Sequence, residues 1–389
     1  HKDSGSFQLY YKGPLATESG FYQNGVFYGS SDHTNYTMQS IAHNTMLVYD
    51  PNEEPLDFAG QVNDGGQRWP LGIMQSTYEN IQKDPQHHRA TVEAEEIDPQ
   101  NPMTPEYTYI KGDLTNAYSD KISDFKRSFM FLNLDDDTVP AALIVFDKLS
   151  VPNPSLEKTW LLHGQDNPEI SGSRTIWKSN PYTDKNTGET YSGKMIHDML
   201  LPAANQADMK IASSPELGWN TIRGVNYPHP ELSPDREENT YRLEISPKES
   251  KETNYFLNVM QVTDEGNTRY LSPELLETSE LYGVKIKDRV VMFSKSGKAL
   301  SGLTEIKSSN ESLKYTICDI QPGTYKVTAG ESEQTITAYE NGGVLSFTAA
   351  AETVKIEKIS DDTKVNEEVR SPGEAESMII KVDGGMASF

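Results

Sequence analysis

The sequence predicts an all-β protein, a large antiparallel β-sandwich followed by a smaller C-terminal β-sandwich domain. Three observations lead there. Apolar residues fall at period two or in short runs, with few stretches of helical periodicity. Gly, Pro, Asn and Asp punctuate those runs along the whole chain. Near Leu281-Tyr282-Gly283 the texture changes to shorter strands and tighter turns. The expected units are residues 1–283, a small accessory domain over 284–360 and an acidic, weakly ordered tail over 361–389, in which 378–382 suits one edge strand.

In the larger unit strands are expected at 7–11, 15–18, 45–49, 90–95, 121–131, 141–149, 159–163, 194–201, 209–213, 241–246 and 255–262. Phe129, Phe131, Ile144, Phe146, Leu161 and Phe256 would face each other between its sheets. Long polar insertions interrupt the pattern at 50–70, 166–192 and 226–239. The most unusual stretch is Asn63-Asp64-Gly65-Gly66-Gln67-Arg68-Trp69-Pro70. Its glycines permit an unusual backbone, and Arg68 beside Trp69 suits a sugar acid: the guanidinium grips a carboxylate or sulfate while the indole stacks on a ring face. The other reading of Arg68 is a pair with Asp64 that ties down its own loop. In the smaller unit strands are expected at 284–293, 313–319, 323–329, 334–338, 344–348 and 353–359, with no catalytic cluster of His, Cys or carboxylates.

With 58 acidic and 35 basic residues the chain carries a formal charge of -23. That argues against a nucleic-acid or anionic-membrane binder, and a polyanionic substrate would need a locally basic groove. A single cysteine, Cys318, permits no internal disulfide. No apolar run approaches the roughly 20 residues that span a bilayer, and no secretory leader is recognisable. Position 1 already belongs to a motif, so the chain reads as a piece of something longer. His1 and His43 each open a strand-like stretch. Two histidines and an acidic residue on neighbouring strands can hold a divalent metal in an open zinc-type shell, the other reading being polar strand ends beside a groove. His87 and His88 read as surface, His163 and His197 as structural, and His229 carries no signal.

Several motifs occur in order: His1-x-Asp3-x-Gly5-x-Phe7, Leu15-Ala16-x-Glu18-Ser19-Gly20-x-Tyr22, Ala42-His43-Asn44-Thr45, Asn63-Asp64-Gly65-Gly66-Gln67-Arg68, Leu161-Leu162-His163, and Gly193-Lys194 leading to Leu200-Leu201-Pro202. Together they resemble the β-rich C-terminal portion of the heparinase II/III family of polysaccharide lyases, nearest to its heparinase II branch. The resemblance implies a structural zinc ion bound by His1, Glu18 and His43, with Glu18 where the family usually has Asp. It implies an upstream α/α-toroid domain that supplies a catalytic Tyr with His, Asn or Glu helpers, and a further His two places before the position of His1. This chain would then form one wall of a cleft in which a uronic-acid-containing polysaccharide, a glycosaminoglycan such as heparan sulfate or alginate, is cleaved by β-elimination.

Such chemistry needs the uronate carboxylate neutralised and a base and an acid in place, for which Tyr, His and Arg are suited. Tyr22 and Tyr28 are the expected catalytic-side residues lining the cleft, and Arg68, Trp69, Tyr36 and His33 the expected substrate contacts. For Tyr28, Tyr36 and His33 simple loop packing is the other reading. A bacterial periplasmic or secreted location follows, with neither nucleic acid nor membrane as partner and with room for a homodimer. The rival functions are a non-catalytic acidic-glycan-binding β module, a copper monooxygenase built on His1, and a metal-dependent hydrolase, for which further His and Asp ligands are lacking.

Overall fold

The computed structural model describes residues 1–20, 29–54, 61–69, 76–212, 218, 220–227, 241–302 and 304–363. The chain is almost entirely β. The larger unit rests on an eight-stranded sheet that runs, in spatial order, Thr91–Ile97, Tyr107–Asp113, Asp124–Asn133, Ala141–Ser150, Thr253–Asp264, Gly193–Leu201, Arg174–Lys178 and Glu169–Ser171, antiparallel throughout. Packed on it is a four-stranded antiparallel sheet of Ala207–Ala212, Tyr241–Pro247, Glu157–Gly164 and Met46–Tyr49. Phe125, Val145, Phe256 and Met260 from the first sheet meet Trp160, Leu162, Leu243 and Ile245 from the second.

The central strand Ala141–Ser150 of the eight-stranded sheet is buried on both faces, which is why it reads as a nearly unbroken apolar run. Successive side chains point to opposite sides. Val145 and Leu149 enter the sandwich, whereas Ile144 and Phe146 turn away with Tyr109 and Met130, onto Val284, Ile286, Val291 and Phe293 of the smaller unit. The Phe146 and Phe293 rings stack at 5.1 Å. Ile144 and Phe146 therefore do not face Phe129 and Phe256 across the sandwich as expected. Leu161 also lies outside it, on the outer face of the four-stranded sheet with Tyr36 and Ile41, and Phe131 remains 41% exposed.

The smaller unit pairs Glu274–Glu277, Leu281–Ile286, Arg289–Ser294, Leu313–Ile317 and Leu345–Ala349 in one sheet, with a parallel step between Arg289–Ser294 and Leu313–Ile317. Thr304–Lys307, Thr353–Ser360, Gly323–Ala329 and Ser332–Ala338 form the other. A boundary at residue 283 would cut through Leu281–Ile286, because this sheet already begins at Glu274. The single strand expected over 284–293 is instead two, turning at Lys287, whose φ is 55°. The strand Tyr107–Asp113, the short helix Tyr78–Lys83 and the strand Arg174–Lys178 inside an expected insertion are additions to the sequence reading. Residues 364–389, including 378–382, lie outside the described residues.

A buried ion pair joins this framework to the N-terminal loops. Arg127 and Asp147 stand opposite each other on adjacent strands of the eight-stranded sheet, both with no exposed surface. Arg127 Nε and Nη2 donate to the two Asp147 oxygens at 2.7 and 3.0 Å. Its Nη1 donates to the carbonyls of Gly5 and Asn44, each at 2.8 Å. Gly5 has a φ of 74°, and a Cβ there would lie 2.4 Å from the Leu114 side chain, so only glycine brings this carbonyl to Arg127. Removing one partner leaves a buried charge uncompensated, and Asp147→Ala is expected to cost about 3–5 kcal/mol. Urea denaturation reads this as a lower midpoint at unchanged slope; a loss below about 1 kcal/mol would put the pair in the class of surface ion pairs.

Candidate metal centre

The three residues expected to bind metal come together. One ligand atom from each of His1, Glu18 and His43 lies within 4.8 Å of the others, and no other group of three or more His, Cys, Asp or Glu does so among the described residues. His43 follows a 3-10 turn, Ser40–Ala42, where the backbone becomes extended, and is fully buried. Neither of its ring nitrogens has a hydrogen-bond partner. Its Nδ1 is 3.4 Å from Glu18 Oε1, and the His1 ring centroid is 5.2 Å from its own. The His43 ring beside it holds the Glu18 carboxyl below its usual value. Zinc bonds of about 2.0–2.1 Å meeting at the tetrahedral angle place donor atoms about 3.4 Å apart. Two buried nitrogens without hydrogen bonds, one of them at that spacing from a carboxylate, fit a zinc ion, with the extra methylene of Glu18 accommodated.

Asn44 positions all three side chains. Its Nδ2 donates to the carbonyls of Phe7 at 2.8 Å and Thr17 at 2.9 Å, which hold the segments behind His1 and in front of Glu18. Its Oδ1 accepts the backbone N–H of His163 at 2.8 Å and lies 3.1 Å from His163 Nδ1. His163 is thus a buried brace, as expected, its pKa held well below the ordinary value by burial together with Arg242 and His43. Gln67 clasps Ser4 through both its backbone N–H and its carbonyl, at 2.9 and 2.7 Å. Asp64 accepts the backbone N–H of Ile41 at 3.0 Å and of Gly66 at 2.8 Å.

Asp64 is therefore not the partner of Arg68. Arg68 Nη1 pairs with Glu53 at 2.8 Å, Nη2 donates to the Glu54 carbonyl at 2.7 Å, and both ion-pair side chains are only 11% exposed. Lys121 closes on the same carboxylate at 2.6 Å and donates to the carbonyls of Gly65 and Gly66. Trp69 stays beside the cluster, its indole N–H donating to the His1 carbonyl at 3.2 Å, with the Lys2 ammonium 5.8 Å from the ring centroid. A cavity of about 230 Å3 opens here, bordered by His1, Lys2, Arg68, Trp69, His87 and Arg89. The sequence reading left His87 on the surface and passed over Lys2 and Arg89.

Two expected substrate contacts are placed elsewhere. Tyr36 has no exposed surface, donates to Ser19 Oγ at 2.9 Å and packs with Ile41, Leu47 and Leu161; burial pushes its pKa up to about 12. His33 is buried in its own loop, where Nδ1 accepts the Gly29 N–H at 3.2 Å, and burial lowers its pKa. Tyr22 and Tyr28 lie outside the described residues.

Residues 275–358 match the family model of the heparinase II C-terminal domain. Over those residues the chain is similar to a heparinase II C-terminal domain. That domain is the smaller unit, the one the sequence reading took as accessory. No curated protein matches the chain. Among solved structures it is similar to a heparan sulfate lyase from Pedobacter heparinus, at 14% identity and a TM-score of 0.44 over 76% of this chain and 37% of that one. It is also similar to a heparinase III, at 11% identity and a TM-score of 0.44 over 76% of this chain and 36% of the other. The chain thus spans little more than a third of the length of either.

The Glu53 clamp makes a pH-dependent forecast. Burial raises the Glu53 pKa, but Lys121, Ser119 and Arg68 outweigh it, and the net shift is downward. Stability from this group is fully present above the free Glu value of about 4.3 and is lost as pH falls through the lower folded value. Arg68→Ala should cost about 1.5–3 kcal/mol at neutral pH, and Glu53→Gln should flatten unfolding free energy against pH in that acid window. An acid limb as steep as in the parent protein would contradict this role for Glu53.

Proposed function

We propose that this chain is the metal-bearing β portion of a polysaccharide lyase that cleaves a uronic-acid-containing polysaccharide by β-elimination, outside the bacterial cytoplasm. The observation that carries the proposal is the His1–Glu18–His43 cluster, with its orphaned buried nitrogens, beside a cationic pocket on a chain of net charge -23. The heparinase II C-terminal domain supports the same reading. The pocket's chemistry supports an acidic polymer of heparan sulfate or alginate type: its bordering cations suit a carboxylate or sulfate and the half-buried Trp69 suits a ring face.

In the reaction a base removes the proton next to the uronate carboxylate. The bond from C4 to the glycosidic oxygen breaks as the C4–C5 double bond forms, and an acid returns a proton to the leaving oxygen. His1, Glu18 and His43 would hold a zinc ion, which would tie their loops together. Asn44 orients those loops, and Lys2 and Arg89 provide the positive field that favours the carbanion-like carboxylate. Arg68 contributes to this field from its clamp with Glu53. Tyr22 and Tyr28 would line the cleft, and the proton-transfer Tyr and its helpers would come from an upstream toroid domain of the parent protein.

Elemental analysis of the purified protein should find about one zinc per chain and no stoichiometric copper. His43→Ala should abolish it, and Asn44→Ala should weaken it by about ten- to a hundredfold, the usual effect of losing a group that orients ligands. A metal-free wild type would remove the zinc reading. Incubation of the intact parent protein with heparan sulfate, alginate and other polyuronates should generate the ultraviolet-absorbing unsaturated uronate end. Binding without that chromophore would leave a non-catalytic glycan-binding module.

A further inference from the structure

Away from the metal cluster, the turn of the hairpin Leu9–Tyr10 and Pro14–Ala16 borders an open groove of about 560 Å3. Lys12 lines one part of it, Asp264 and Glu265 another, and Glu189 and Tyr191 of a two-stranded ribbon a third. The ribbon pairs Tyr182–Thr183 with Thr190–Tyr191. Tyr182 and Tyr191 stand directly opposite in its register, so their rings leave the same face. Tyr182 is 54% exposed, and Tyr191 and Tyr11 are half-buried.

The Tyr191 and Tyr11 rings are held in place by their hydroxyls. Tyr191 donates to Glu189 at 2.5 Å and Tyr11 to Asp264 at 3.0 Å, while Lys12 pairs with the same Asp264 oxygen at 2.6 Å. The Lys12 ammonium lies 5.6 Å from the Tyr11 ring centroid, which leaves Tyr191 as the aromatic ring lining the groove, with Tyr182 beside it on the same face of the ribbon. The hairpin turn is itself seated on the eight-stranded sheet: a Cβ at Gly193 would lie 1.8 Å from the Tyr11 carbonyl oxygen. Ring faces fixed in this way bind with little ordering cost.

Charge decides what they suit. Three carboxylates, Glu189, Asp264 and Glu265, line the groove against one ammonium, Lys12. A polyuronate or sulfated chain meets like charge there, whereas a neutral sugar presents C–H faces to the rings and hydroxyl donors to the carboxylates. We infer that this groove is a second glycan site, which takes a neutral, hydroxyl-rich stretch of saccharide. The inference stands apart from the lyase reading and holds whatever the metal cluster does.

Calorimetric titration of the protein with uncharged hexasaccharides tests it, using β-1,4-, α-1,4- and β-1,3-linked glucose and N-acetylglucosamine hexamers beside a galacturonate hexamer. At least one neutral hexamer should bind in the millimolar range or tighter, and EDTA should leave that binding unchanged. Tyr182→Ala and Tyr191→Ala should each weaken it by about tenfold, the upper end for loss of an aromatic contact. Tyr191→Phe keeps the ring and should stay within about threefold, because an exposed hydrogen bond contributes little. Glu189→Gln combined with Glu265→Gln should strengthen galacturonate binding by about threefold or more, as expected for relief of like-charge repulsion. Three results would each overturn the site: no binding by any neutral hexamer, neutral binding indifferent to Tyr182 and Tyr191, or wild-type preference for galacturonate through Tyr191.

Discussion

The site depends on one guanidinium placed inside a β-sandwich. A full charge in that position is costly unless an opposite charge and further hydrogen bonds meet it. Asp147 supplies the charge, and the carbonyls of Gly5 and Asn44 supply the bonds. The chain segments behind His1 and His43 are thereby required to converge on a single point of the eight-stranded sheet. Asn44 then passes the constraint on, because the residue whose carbonyl serves Arg127 also binds Phe7, Thr17 and His163 through its side chain. The His1–Glu18–His43 cluster is the last member of this sequence of dependences.

The same economy governs the cations of an acidic protein. Lys121 and Arg68 are directed to Glu53, Arg242 to Glu244, and Lys111 to Asp319 at 2.7 Å across the contact between the two units. Positive charge is largely spent on holding loops and units together. Several cations also border open space, Lys2, Arg68 and Arg89 at the cavity by Trp69 and Lys111, Lys126, Lys148 and Lys298 at a larger one, so positive potential on this acidic molecule is local and short in range.

His1, Glu18 and His43 were legible because each sits in its own short motif, and motif order carried what spacing alone could not. Of the two readings of Arg68, the one that ties down its own loop named Asp64 because it is near in sequence, but Glu53 is near in space once the loop doubles back past Lys121. Tyr36 was expected at the cleft and is instead core, since the outer face of the four-stranded sheet needs an apolar cover that composition cannot assign. Ile144 and Phe146 were placed on the wrong side because a strand buried on both faces has no alternation to read. Tyr107–Asp113 was hidden by Pro99, Pro102 and Pro105 just before it, although its alternate Tyr107, Tyr109 and Lys111 were a readable signal. Arg127 had a signal too, a charge in phase with Phe125 and Phe129.

The contact of the eight-stranded sheet with the smaller unit has a consequence for how such a protein can be divided. Tyr109, Met130, Ile144 and Phe146 form a slab that, among the described residues, is covered by Val284, Val291, Phe293 and their neighbours. Cutting the chain between the units would bare that slab and make the remainder adhesive rather than independent. The C-terminal domain is therefore not a detachable appendage that recombination could exchange at will. It serves the sandwich as a second lid, and a foreign domain could replace it only by reproducing the same apolar footprint.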